Sequence, residues 1–194
     1  MIEKVFGKER EEVLGRFSFY DFRSCSLVSG QEVIITLSEE DNTRYCDVCL
    51  YPDHKEIRKQ YYRRERSMIQ VFRDMVAPLR EMYLLNDREQ WLVNKRIAPQ
   101  LNKLLRMYGI GDCDAMLKVS ALPEATAFLK SILRYNTFAF FLFPKEQLVI
   151  APTDHMDIFL FGKDDRAFGH VIEVIKNGNG KFLYKSNIVQ QLFV

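Results

Sequence analysis

The sequence has no long apolar run. The longest purely apolar stretch is Phe138 to Phe143, far short of the roughly 20 residues that cross a bilayer as a helix. Met1-Ile2-Glu3-Lys4 leads straight into charged residues, so no secretory h-region is visible and a soluble, cytoplasmic protein is expected. Nine glycines and six prolines in 194 residues are too few for collagen or a low-complexity tract. Nearly half the residues are apolar, which excludes wholesale disorder. No internal repeat is present. The chain length suits a single compact domain over 1–194, with lobes at 1–54, 55–135 and 136–194.

Motifs of chemistry are also scarce. There is no Gly-x-Ser-x-Gly, no phosphate-binding glycine loop and no paired-His metal helix; Gly162-Lys163 is followed by Asp164 rather than Ser or Thr. Cys25, Cys46, Cys49 and Cys113 are dispersed through a chain too large to need disulfide staples, so free thiols are expected. Cys46-x-x-Cys49 with His54 approximates a zinc-knuckle spacing, but position 59, where a further cysteine belongs, holds Lys59. Cysteines used for packing are the better reading, and neither a metal nor a cofactor is expected.

The charge that is present is unevenly placed. The net charge is only +2, yet residues 1–54 carry eleven acidic and six basic side chains, and residues 55–108 carry thirteen basic and six acidic. From Lys55 the apolar positions Ile57, Tyr61, Met68, Val71, Phe72, Met75, Leu79, Met82 and Tyr83 share one side of a helix. Lys55, Arg58, Lys59, Tyr62, Arg66, Arg73 and Arg80 cluster opposite. Arg64 projects into the apolar side and should snorkel or pair with a buried carboxylate.

The phase persists across Pro78, which predicts a kinked continuation of this helix. Asn86-x-x-Glu89 then resembles a capping box for a second helix bearing Val93, Ile97, Leu101, Leu104, Leu105 and Tyr108 on one side, bent at Pro99 and ended by Gly109 and Gly111. Together they predict a helical hairpin. On either side the periodicity is that of strands. Phe17–Val28, Val33–Leu37 and Thr43–Tyr51 read as an antiparallel meander after a short helix within 4–16. Thr137–Phe143, Gln147–Ile150, Asp157–Phe161, His170–Ile175 and Phe182–Lys185 read as a second set of strands. A brief strand at Ala115–Ser120 and a third helix after Pro123 complete the pattern. The expected class is α+β: antiparallel strands at both ends of the chain flanking a central helical hairpin with a long amphipathic helix.

Three functional readings follow. The leading one is a non-enzymatic protein-binding module, of the kind a bacterial toxin-neutralising (immunity) protein or a regulatory partner would be. Its cationic helix side would meet an acidic protein surface. A nucleic-acid binder acting through the same basic helix is a further alternative, disfavoured by the low overall charge and the lack of any nucleic-acid motif, and no membrane partner is expected. The alternative is a small hydrolase or transferase using His155 with Asp154 or Asp157, because His155 and Asp157 share a face in an extended strand. Asp164, Asp165, Arg166 and His170 belong to the same polar stretch. These groups sit at strand ends and turns, where Asp and His commonly serve the backbone instead. The apolar tail Ile188–Val194 is expected to dock on its own domain or to join an oligomer.

Overall fold

The computed structural model describes residues 1–37, 43–79, 81–86, 91, 94–111, 114–135, 137–177 and 182–189. Its elements run β1 (Ile2–Lys4), α1 (Gly7–Gly15), β2 (Tyr20–Asp21), β3 (Ser26–Leu27), β4 (Gly30–Leu37), α2 (Tyr45–Leu50), α3 (Lys55–Val76), β5 (Met82–Leu85), α4 (Pro99–Met107), β6 (Met116–Val119), α5 (Leu122–Leu133), β7 (Phe140–Phe143), β8 (Leu148–Pro152), β9 (Asp157–Gly162), a 3-10 turn (Asp165–Phe168), α6 (Gly169–Asn177) and β10 (Phe182–Val189). The class is α+β, with strands at both ends of the chain.

Eight strands form one antiparallel sheet in the order β1-β6-β5-β7-β8-β9-β4-β10, and β2 pairs with β3 as a separate ribbon. The strands of the first and last parts of the chain therefore join one sheet. The join is β4, which lies between β9 and β10 and pairs Val33 with Leu160 on one side and with Ser186 on the other. Strand β7 is buried along its length between β5 and β8, as expected of a strand covered on both faces.

Alternation along each strand divides the buried residues into two layers. Val33, Ile35, Leu84, Phe141, Ile150 and Leu160 pack with α3, α4, α5 and α6 on one face. Tyr83, Leu85, Phe140, Leu142, Val149 and Phe161 pack with Val5, Val13, Phe17 and Tyr20 on the other, beneath α1 and the β2–β3 ribbon. Within the helical layer α3 packs against both α5 and α6.

Several local expectations change. Helix α3 ends at Val76, and Ala77 follows as its cap. Pro78 offers no N–H, and its ring would strike the carbonyl four residues back if the helix continued. Met82 and Tyr83 then belong to β5, a strand buried at all four positions. A strand that is apolar on both faces matches any helical phase, which is why the periodicity ran on through it. With β5 between them, α3 and α4 do not follow one another as a helical hairpin. Pro99 opens α4 at its first turn instead of bending it. The Asn86 capping box extends into residues outside those described, as do Val93, most of the Asn177–Gly180 turn and the end of the apolar tail.

Two segments read as strands are helices. Over Thr43–Tyr51 the chain forms α2, where the Asp47 carboxylate accepts the backbone N–H of Arg44 at 2.7 Å and Val48 is buried against the helical layer. Over His170–Ile175 it forms α6, which buries Val171 and Ile175, one turn apart. In both, tertiary contacts override β-propensity.

Candidate functional site

Helix α3 carries seven cationic and three acidic side chains in 22 residues, and its two sides are fully distinct. Tyr61, Met68, Val71, Phe72, Met75 and Val76 are buried in the helical layer. Opposite them, Lys55, Arg58, Lys59, Arg66 and Arg73 are all exposed, and Tyr62 is half-buried at their edge. By the 1.5 Å rise per residue, the cations from Lys55 to Arg73 extend over roughly 27 Å. Arg80 lies outside the described residues.

Among the described residues, little neutralises this stripe. Lys59 stands 3.9 Å from Glu56, one turn back, an exposed pair of small energetic weight. Arg66 donates from Nε to the Tyr62 carbonyl at 3.1 Å, and Arg58 from Nη1 to the Pro52 carbonyl at 3.5 Å. Asp74 accepts from Gln70 at 2.8 Å rather than from an arginine. Among the described residues no salt bridge engages Arg58, Arg66 or Arg73. The acidic first third of the chain therefore does not close over the stripe within the described structure.

Beneath the stripe lies a polar network that sequence reading missed. Glu65, only 3% exposed, takes a two-pronged bond from Arg134 at the end of α5: Nε to Oε1 at 2.6 Å and Nη2 to Oε2 at 3.0 Å. Arg134 also donates from Nη1 to the Ile97 carbonyl at 3.1 Å, and its guanidinium lies over the rings of Tyr45 and Tyr62 at 5.4 and 5.8 Å. The Tyr61 hydroxyl lies 3.1 Å from the Leu133 carbonyl and 3.3 Å from Glu65 Oε1. Burial, reinforced by the Glu65 charge, pushes the Tyr61 phenol far above its ordinary range, so it stays protonated and donates. For Arg134, burial works against the charge, but the hydrogen bonds to Glu65 outweigh it and the guanidinium is held more firmly protonated.

Arg64 is the residue that the sequence marks as anomalous, and it is indeed buried. Its Nη1 donates to the Thr43 carbonyl at 2.9 Å, which ties α3 to the segment before α2. The buried carboxylate is its neighbour Glu65, and that group takes Arg134. A cavity of about 100 Å³ lies beside Arg134, between Pro99, Leu101, Ala127 and Ser131. It has room for a few waters and not for a metabolite. The network ties α3 to the end of α5 and to the segment before α4.

The histidine constellation is placed differently. Asp154 and His155 occupy the tip of the β8–β9 hairpin, a turn closed by the Thr153 N–H on the Asp157 carbonyl at 2.9 Å, with Met156 at φ 64°. His155 Nε2 is 3.8 Å from Asp154 Oδ1, and the His155 side chain is half exposed. Asp157 opens β9. The cavity beside Arg134 is lined by none of these residues. Asp164 is the cap of the 3-10 turn, and its bond to Arg166 at 2.6 Å holds its carboxyl below the usual range. His170 Nε2 reaches the Asp74 carbonyl at 3.4 Å, a contact between α6 and α3.

The cysteines are not packing residues, contrary to expectation: Cys25, Cys46 and Cys49 are all exposed. Cys113 lies outside the described residues. His54 caps α3, its Nδ1 accepting the Ile57 N–H at 3.4 Å. Among the described residues, no three His, Cys, Asp or Glu side chains group to hold a metal ion. No helix is long and apolar enough to cross a membrane among the described residues. No family model matches the chain, nor does any curated protein or any solved structure.

Proposed function

We propose that this chain is a non-enzymatic protein-binding module that presents the outer side of α3 to an acidic surface on another protein. A toxin-neutralising or regulatory partner is a role of that kind. The observation that carries the reading is the division of α3. One side is committed to the core, while the other holds Lys55, Arg58, Lys59, Arg66 and Arg73 in the open with, among the described residues, one weak carboxylate contact between them. A helix supported from below by the Glu65–Arg134 pair presents these charges on a backbone already ordered before binding, so the remaining ordering cost falls on the side chains. Rim charges of this type set association rate and partner choice more than they set affinity. A protein partner is favoured over a nucleic acid because the whole chain is only +2 and Glu56 and Asp74 interrupt the cationic run.

The test uses immobilised wild-type chain beside Lys59→Glu/Arg66→Glu/Arg73→Glu in nuclease-treated native lysate. Wild type should retain a protein with an acidic surface at low salt, and retention should fall at least about tenfold in the variant. Exposed positions away from special contacts change stability little, so the melting temperature should shift by no more than about 2 °C. Equal retention by both proteins, or retention by neither, would remove the stripe from the function.

A further inference from the structure

On the other face of the sheet, away from α3, the β2–β3 ribbon leaves part of the surface open. There Tyr20, Leu27, Phe140, Ala151, Phe159 and Phe161 line an open cavity of about 490 Å³, with Cys25, Ser26 and Glu32 at its polar edge. That volume lies within the range of roughly 300–1,000 Å³ typical of small-molecule sites. We propose that this cavity binds a small organic cation: an amine whose apolar body lies on the aromatic floor and whose ammonium group faces Glu32.

The floor is built by strand register. Glu32 on β4 pairs directly with Phe161 on β9, and Ala151 on β8 pairs with Phe159. Phe140 comes from β7, next to β8 in the sheet. Cross-paired and alternate residues of these neighbouring strands share a face, so the four strands together make one continuous wall.

Aromatic contacts hold the wall in place before any ligand arrives. The Tyr20 ring lies 4.6 Å from Phe161 and 5.7 Å from Phe140, and Phe159 stacks on Phe161 at 6.3 Å with the planes 17° apart. Tyr20, Phe140 and Phe161 are buried, whereas Phe159, Ala151 and Leu27 are half-buried and available.

Charge decides the ligand class. Ring faces carry negative potential and attract cations. Among the described residues, the single charged side chain of the lining, Glu32, is also negative. Glu32 Oε2 accepts from Asn187 Nδ2 at 3.1 Å, and among the described residues no salt bridge engages Glu32. A carboxylate ligand would meet repulsion at this edge, and a neutral one would gain apolar burial alone. An ammonium gains from the rings and the carboxylate together.

Three probes share one phenethyl body: phenethylammonium, 2-phenylethanol and 3-phenylpropanoate. Binding is measured by calorimetric titration at neutral pH. Phenethylammonium should bind at least tenfold more tightly than either of the others. Glu32→Gln, which keeps a side-chain oxygen to accept from Asn187, should weaken the amine about tenfold and leave the alcohol unchanged. Location is read by N-ethylmaleimide labelling and peptide mass spectrometry. The amine should slow labelling of Cys25 and leave Cys46 and Cys49, on the helical side of the sheet, at their free rates. Equal affinity for the three probes, no saturable binding by any of them, an unaltered amine affinity in Glu32→Gln, or unprotected Cys25 would each overturn the assignment.

Discussion

Truncating Glu65 to alanine is expected to lower stability by about 3–5 kcal/mol, the cost of removing one partner from a buried charge pair. The carboxylate is almost wholly out of solvent, and both its oxygens are bonded to Arg134. Without it the guanidinium remains wedged against the Ile97 carbonyl and the rings of Tyr45 and Tyr62, with its charge uncompensated. The Tyr61 hydroxyl keeps the Leu133 carbonyl, so the loss is concentrated on Arg134. The pair as a whole need not stabilise the fold, since desolvating two ions offsets most of their attraction. Glu65→Leu combined with Arg134→Met should therefore recover most of what Glu65→Ala loses. Urea denaturation separates these cases by midpoint at constant slope. A cost below about 1 kcal/mol for Glu65→Ala would show that water reaches the pair and screens it.

Phe141→Ala is expected to cost about 3–5 kcal/mol, the range for deleting a fully buried aromatic ring. Phe141 sits on β7, in the interior of the sheet, on the face that receives α3. Its ring lies 4.7 Å from that of Phe72 on α3, edge to face, and both are fully buried. The substitution leaves a void under the long helix as well as removing apolar contact. A double-mutant cycle with Phe72→Ala should return a coupling of about 0.5–1.5 kcal/mol, as for other aromatic pairs. Phe6→Ala, at an exposed position, should change stability by less than about 0.5 kcal/mol. If Phe141→Ala and Phe6→Ala cost the same, α3 does not dock on the sheet through this contact.

The α3 segment from Lys55 to Val76 was legible because 22 residues give a 3.6-residue period room to declare itself. Strand β7 and the β8–β9 hairpin were legible because a doubly buried strand and a short polar turn have their own signatures. Short elements were not. Over the six residues of α2 a period of two and a period of 3.6 fit the same apolar positions, and burial of Val48 on the helical layer decides between them. Helix α6 reads as β-branched, yet Val171 and Ile175 also lie one turn apart. The cationic stripe could be read from the sequence, because it needs only spacing along one helix. The Glu65–Arg134 pair could not. Its partners are 69 positions apart, and nothing local marks Glu65 as buried except its place beside the stripe. The aromatic cavity is likewise assembled from strands distant in sequence but adjacent in the sheet.

Amine footprinting tests the outward role of α3 most directly. The captured partner is added to the chain, exposed lysines are acylated with an N-hydroxysuccinimide ester, and each site is read by peptide mass spectrometry. Lys55 and Lys59 should lose most of their reactivity in the complex, while Lys8 and Lys185, exposed elsewhere in the fold, should keep theirs. Unchanged reactivity at Lys55 and Lys59, with protection at Lys8 or Lys185 instead, would place the partner on another face and contradict the account.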